Sequence, residues 1–146
     1  NGALTSEELP PYAEQTVVHG GSQSMKYRYD TNLMISESTM TLVYPRDWTE
    51  GGITKLVLWF RGSSANAAER MFVALNPGAP GVVYHDDPAA TQMTGWTEWV
   101  IDLQMFADQG VDLTNVNTIT IGFGTKDTPA DGGTGTVYFD DIRLYR

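Results

Sequence analysis

From Ser24 to Leu144 the chain runs in short segments that alternate apolar and polar side chains with a period of two, the signature of strands with one buried face. In Ser24–Asp30, Met25, Tyr27 and Tyr29 alternate with Lys26, Arg28 and Asp30. Ser38–Tyr44 puts Met40, Leu42 and Tyr44 on one face, and Asp47–Gly52 follows as a turn. Ile53–Gly62 carries the strongest pattern: Leu56, Leu58 and Phe60 on one side, Val57, Trp59 and Arg61 on the other. After a polar loop at Ser63–Glu69, Arg70–Asn76 sets Met71, Val73 and Leu75 against Phe72 and Asn76. Gly81–His85 is a short strand and Asp86–Gly95 a loop. Thr97–Leu103 aligns Trp99, Ile101 and Leu103, and Asn117–Gly124 aligns Ile119, Ile121 and Phe123. The last strand, Thr136–Tyr145, comes after the glycine-rich run Asp131–Gly135. Only Leu103–Val116 has helical character, and Gly110 breaks it, so helix is expected for a turn or two near Gln104–Asn115. These patterns predict an all-β chain, a two-sheet antiparallel β-sandwich of eight or nine strands. Residues 1–15, with Pro10-Pro11, have little periodicity and read as an N-terminal arm; 16–146 reads as one sandwich domain without internal repeats.

The last strand contains a conflict. Asp140 and Asp141 interrupt its apolar positions, and Phe139 and Ile142 stand three apart, which a β-bulge re-aiming one carboxylate would explain. A buried Asp pair costs several kcal/mol unless a cation or good hydrogen bonds meet it. Two readings follow: a hard cation such as Ca²⁺ with oxygen ligands, or a solvated pair.

Composition narrows the function classes. The 146 residues carry 18 acidic against 9 basic side chains, a formal net charge of −9, which argues against nucleic-acid binding. Zero cysteines exclude a disulfide scaffold and thiolate metal sites. No run approaches the ~20 apolar residues that span a bilayer, and no charged, apolar leader opens the chain, so neither membrane nor nucleic acid is an expected partner and the sequence reads as a mature segment or excised module. The acidic surface is compatible with Ca²⁺ and with an extracellular, secreted setting.

Catalytic patterns are absent. His19 and His85 lie far apart without zinc-type spacing, and Ser22 and Ser24 do not form a nucleophile elbow. Glu69, Glu98 and Asp102 are carboxylates on or beside strands, but a hydrolytic pair must flank one bond, which sequence does not show. The faces opposite the core are more informative. Trp59, Arg61, Arg28, Phe72 and Asn76 all point away from their strands' best apolar side. An outward indole gives a pyranose ring a flat surface to stack on, while Arg and Asn bond its hydroxyls. Arg61 beside Trp59, with Arg28 on a strand expected next to theirs, also suits a glycan bearing carboxylate or sulfate, against which stands the long-range repulsion of the net charge.

The segments His19–Met25, Trp96–Leu103 and Tyr138–Leu144 together resemble jelly-roll, galactose-binding-like carbohydrate-binding modules of secreted bacterial polysaccharide-degrading proteins, over about Pro10 to Tyr145. The resemblance implies a jelly-roll sandwich and a non-catalytic module that binds a polysaccharide and targets an appended enzyme within a larger multidomain chain. The alternatives are a small glycan-active lyase or hydrolase, or an adhesion domain without a sugar site. It also implies a structural Ca²⁺ at the sandwich edge, with Asp140 as first ligand, Asp141 second, and the Gly20 and Gly21 carbonyls as main-chain partners. The acidic residue that opens such modules has no clear counterpart here; Glu14 is the nearest.

Overall fold

The computed structural model describes residues 19–20, 24–31, 35–76, 81–125 and 132–146, with the side chains of 43–46 left aside. The expected arm at residues 1–15 lies outside them. Eight strands are present among the described residues: β1 (Met25–Asp30), β2 (Ser36–Arg46), β3 (Lys55–Arg61), β4 (Met71–Leu75), β5 (Gly81–Tyr84), β6 (Thr97–Asp102), β7 (Val116–Phe123) and β8 (Thr134–Tyr145). One short helix, α1 (Gln104–Ala107), stands where the helical pattern fell. The strands form two antiparallel four-stranded sheets, ordered β1-β8-β3-β6 and β2-β7-β4-β5. This is the jelly-roll β-sandwich.

The period-two patterns explain which face is inside. From the first sheet come Tyr27, Tyr29, Leu56, Leu58, Phe60, Trp99, Ile101, Val137 and Phe139; from the second, Met71, Val73, Leu75, Ile119, Ile121 and Phe123. All are buried. Rings bridge the two layers: Tyr29 stacks on Phe123 at 4.5 Å, and Tyr27 meets the same ring edge-on at 4.9 Å. Leu144 is only partly buried against this core. Met40 aligns with the buried Ile119 but is 56% exposed, because β2 is an edge strand of the second sheet.

At one end of the sandwich a polar network replaces apolar packing. Gly62 passes so close to the next loop that a Cβ would lie 1.9 Å from the Thr91 carbonyl oxygen. Asn66, 7% exposed, ties three segments together: its Nδ2 donates to the carbonyls of Thr91 (2.7 Å) and Thr136 (2.8 Å), and its Oδ1 accepts the Thr136 N–H (3.0 Å). Buried Thr31 donates to Glu69 and accepts the Gly133 N–H, which fixes the start of β8 to the end of β1. The loops are therefore held by bonds that water would otherwise supply.

Asn66→Ala leaves two carbonyls and one N–H without that partner. Stability should fall by about 2–4 kcal/mol, since each unsatisfied buried group costs about 1–3 kcal/mol and some will find water. Urea denaturation checks this.

Candidate functional site

The Asp140-Asp141 conflict is resolved by the bulge that the spacing called for. Opposite β3, the register of β8 shifts between Val57 and Trp59, and Asp141 takes a left-handed φ of 48°. The kink sends both carboxylates to the segment His19-Gly20. Asp140 Oδ2 accepts the N–H groups of His19 (2.9 Å) and Gly20 (3.0 Å), and its Oδ1 accepts the Asp141 N–H (2.8 Å). Asp141 Oδ2 meets His19 Nδ1 at 2.6 Å, while Oδ1 accepts Arg143 Nη2 at 3.1 Å. The His19 hydrogen bond, with help from Arg143, holds the Asp141 carboxyl below the usual carboxylate range. Residue 20 must be small, because a Cβ there would lie 2.6 Å from Asp141 Oδ2.

A cation was expected at this place. Gly20 gives its N–H to Asp140, and Gly21 and Glu14, named with it for that cation, lie outside the described residues. Among the described residues no three His, Asp or Glu side chains gather in a metal-binding group. In this structure the two carboxylates act as a clamp on the main chain, and no metal enters the chemistry below.

The clamp places His19 on the outer face of the first sheet. Its ring lies parallel to that of half-buried Trp59, with centroids 4.0 Å apart and planes 16° apart, and half-buried Trp96 is tilted against it at 5.5 Å. Trp59 does point outward, as the pattern required, but one face of its indole is already covered. Cross-strand rows surround it. Asp140, Trp59 and Glu98 form one row across β8, β3 and β6; Lys26, Tyr138 and Arg61 form the next across β1, β8 and β3. Arg28, opposite Thr136, lies one step further along β1. Arg28 thus shares the face with Arg61, but its strand is not beside β3: β8 lies between them.

Phe72 and Asn76 must be removed from this site. Both belong to the second sheet. Phe72 is fully buried over Gly122, where a Cβ would lie 2.4 Å from its ring, and it meets Tyr84 edge-on at 5.8 Å. Asn76, at φ 57°, uses its Oδ1 to accept the Asn117 N–H (2.7 Å) and its Nδ2 to bond the Asn115 carbonyl (3.2 Å), a bracket on the start of β7. Period two tells only that a residue is opposite the core, not whether something covers it.

His19, Trp96 and Tyr138 complete, with the outward Lys26, the face that single-strand patterns left incomplete. Trp96 precedes β6, where alternation gives no direction, and His19 reaches Asp141 across 122 positions of sequence. Among the described residues, the carboxylates singled out in the sequence do not come together. Glu98 and Asp102 are exposed and four residues apart on one strand, about 13 Å at ~3.3 Å per residue, wider than the roughly 5–9.5 Å between paired glycosidase carboxyls. Glu69 accepts from Thr31 in the loop network. His85 is wedged edge-on between Phe60 and Trp99, its Nδ1 accepting the Asp87 N–H, and burial pushes its imidazole below the usual range.

No protein-family model matches the sequence, and no curated protein is significantly similar to it. Solved structures are similar. A family 30 carbohydrate-binding module of a cellulosomal cellulase from Clostridium thermocellum superposes with a TM-score of 0.69 at 16% identity, over 99% of this chain and 90% of the module. A family 11 module from the same organism, in complex with a β-1,3-1,4-mixed-linked tetrasaccharide, gives 0.63 at 18% identity, over 98% and 94%. The chain has the fold of the jelly-roll carbohydrate-binding modules. An exo-β-agarase contains the same fold as a part: the TM-score is 0.65 at 12% identity, over 99% of this chain and 23% of the agarase.

The Asp141 carboxyl gives a pH test of the clamp. Its folded pKa lies below the ordinary carboxylate value, so its stabilisation is present above that value and lost as pH falls through the folded one. Asn tolerates the left-handed backbone at this position. Asp141→Asn should therefore melt below the wild type at pH 6, with the gap closing near pH 2; an equal gap at both values would show that the charge is not what holds His19.

Proposed function

We propose that this chain is a non-catalytic carbohydrate-binding module that presents the outer face of the first sheet, around Trp59, Trp96 and His19, to a polysaccharide. The observation that carries the reading is the aromatic cluster itself. Three rings, His19, Trp59 and Trp96, gather on one sheet face, and neither tryptophan is fully buried. The apolar face of a sugar ring is satisfied by such a surface, and its hydroxyls by the flanking Tyr138, Glu98 and Arg61. Similarity in fold to modules that stand almost alone within the matched region, at 90% and 94% of their length, supports the same reading.

Within that reading, the module works outside the cell and carries an appended enzyme to its substrate. The match to 23% of an agarase supports the second part, since the sandwich there is one portion of a longer chain. The carboxylates the sequence singled out support binding over a hydrolase or lyase: Glu98 and Asp102 are spread along a strand, Glu69 is bound into a loop network, and Asp140 and Asp141 hold His19. The part of this face fixed by the clamp needs no rearrangement to meet a sugar ring.

Affinity gels cast with a panel of soluble polysaccharides test the reading. Wild type should be retarded by at least one glycan without shortening it. Trp59→Ala and Trp96→Ala should each weaken that retardation by roughly 1–3 kcal/mol, the range measured for stacking on other flat ligands, with the circular-dichroism spectrum unchanged. Retardation by no glycan, or mutants that bind like wild type, would remove this face from the function.

A further inference from the structure

We infer that the glycan held on this face is anionic, a polysaccharide carrying carboxylate or sulfate groups, gripped by Lys26, Arg61 and Arg28; this rests on the face proposed above. The chain has only 9 basic residues against 18 acidic ones. Five of the nine, Lys26, Arg28, Lys55, Arg61 and Arg143, occupy outward positions of the first sheet. Three of these stand on the side of Trp59 away from the bulge. Lys26 and Arg61 flank Tyr138 in one cross-strand row, roughly 10 Å apart at ~4.8 Å per strand, and Arg28 lies roughly 7 Å further along β1. Among the described residues, neither Lys26 nor Arg61 has an ion pair. An unpaired guanidinium beside an aromatic surface is a ready partner for a planar carboxylate or a sulfate, which it binds through two parallel N–H bonds.

Carboxylates on the same face must be weighed. Asp140 is already satisfied by three N–H groups, and Asp141 is engaged by His19 and Arg143. Glu98 stands in the Trp59 row and Asp30 beyond Arg28, opposite Thr134. With Asp102 opposite Lys55, five acids and five cations stand on this face, an even balance against the two-to-one acidic excess of the whole chain. The net charge of −9 does not cancel this at contact. Charges further away than the Debye length, about 8–10 Å at physiological ionic strength, are largely screened, so the local cations set the field a bound glycan meets.

The test is affinity electrophoresis and calorimetry of the wild type with alginate and κ-carrageenan as anionic probes, and with agarose, laminarin and barley β-glucan as neutral ones. Binding to an anionic probe should weaken at least severalfold as NaCl rises from low to ~0.5 M, where exposed charge pairs are screened. Arg61→Ala and Lys26→Ala should each lower affinity about three- to tenfold, and the double variant more, the range of a charge-assisted hydrogen bond at a partly exposed site. Arg61→Lys should recover part of the loss. Both positions are at the surface, and unchanged melting curves would show that folding is intact. Salt-insensitive binding to neutral glycans alone, unaffected by these variants, would overturn the anionic assignment and leave the module reading standing. Binding to no probe would overturn both.

Discussion

The pairing of β8 with two partners at once supports everything else in the first sheet. Its residues Thr134 to Phe139 pair with β1, and Tyr138 to Tyr145, around the bulge, pair with β3, so without it β1 has no neighbour and β3 only β6. The inward side of the same strand adds Val137 and Phe139 to the core, and its outward side contributes Tyr138, Asp140 and Arg143 to the exposed face. A strand in this position has to satisfy a ladder on each edge and a different environment on each face. The bulge at Asp141 is where these demands collide. An uninterrupted alternation would drive one aspartate into the core, at a cost of several kcal/mol. One extra residue at a left-handed φ sends the carboxylate outward and lets Leu144 return to the inside.

Much of this fold was legible because strands bury one side. Leu58, Phe60, Val73, Trp99, Ile101, Ile119 and Ile121 all reach the core as their alternation required. The bulge was legible too, from two apolar residues three apart. Strand order was not, since alternation within a strand says nothing about which strand lies beside it; Arg28 was expected next to Trp59 and stands beyond β8. The outer faces were harder still. Phe72 and Trp59 have the same pattern, each opposite a well-formed core side, yet one is sealed over Gly122 and the other is stacked under an imidazole. What covers an outward residue comes from distant sequence. His19 carries no local mark of its partnership with Asp141.

The two halves of the exposed face are held by different physics. The aromatic part is rigid: His19 is fixed through its main chain by Asp140 and through its ring by Asp141, and its plane is set against Trp59. In the cationic part, Lys26 and Arg61 lack ion pairs among the described residues, so no such bond fixes these two side chains. Rigid rings lose little entropy on contact, whereas long cations lose more but adapt to the spacing of charges along a ligand. A face built this way would select for the shape of a sugar ring while tolerating variation in where its substituents fall.

The position of β8 also bears on how the molecule is made. It follows the other seven strands in the chain but lies inside its sheet, bonded to β1 across more than a hundred residues, as in the pair Lys26 and Tyr138. Loop-closure entropy has to be met before such remote pairings contribute, so topologies of this kind fold slowly. Until β8 arrives, β1 and one edge of β3 remain open templates for a strand from another molecule. The second sheet needs no strand later than β7 and can assemble first. The order of synthesis thus leaves half of the sandwich waiting, and the last dozen or so described residues decide whether the wait ends in a closed sheet or in an intermolecular one.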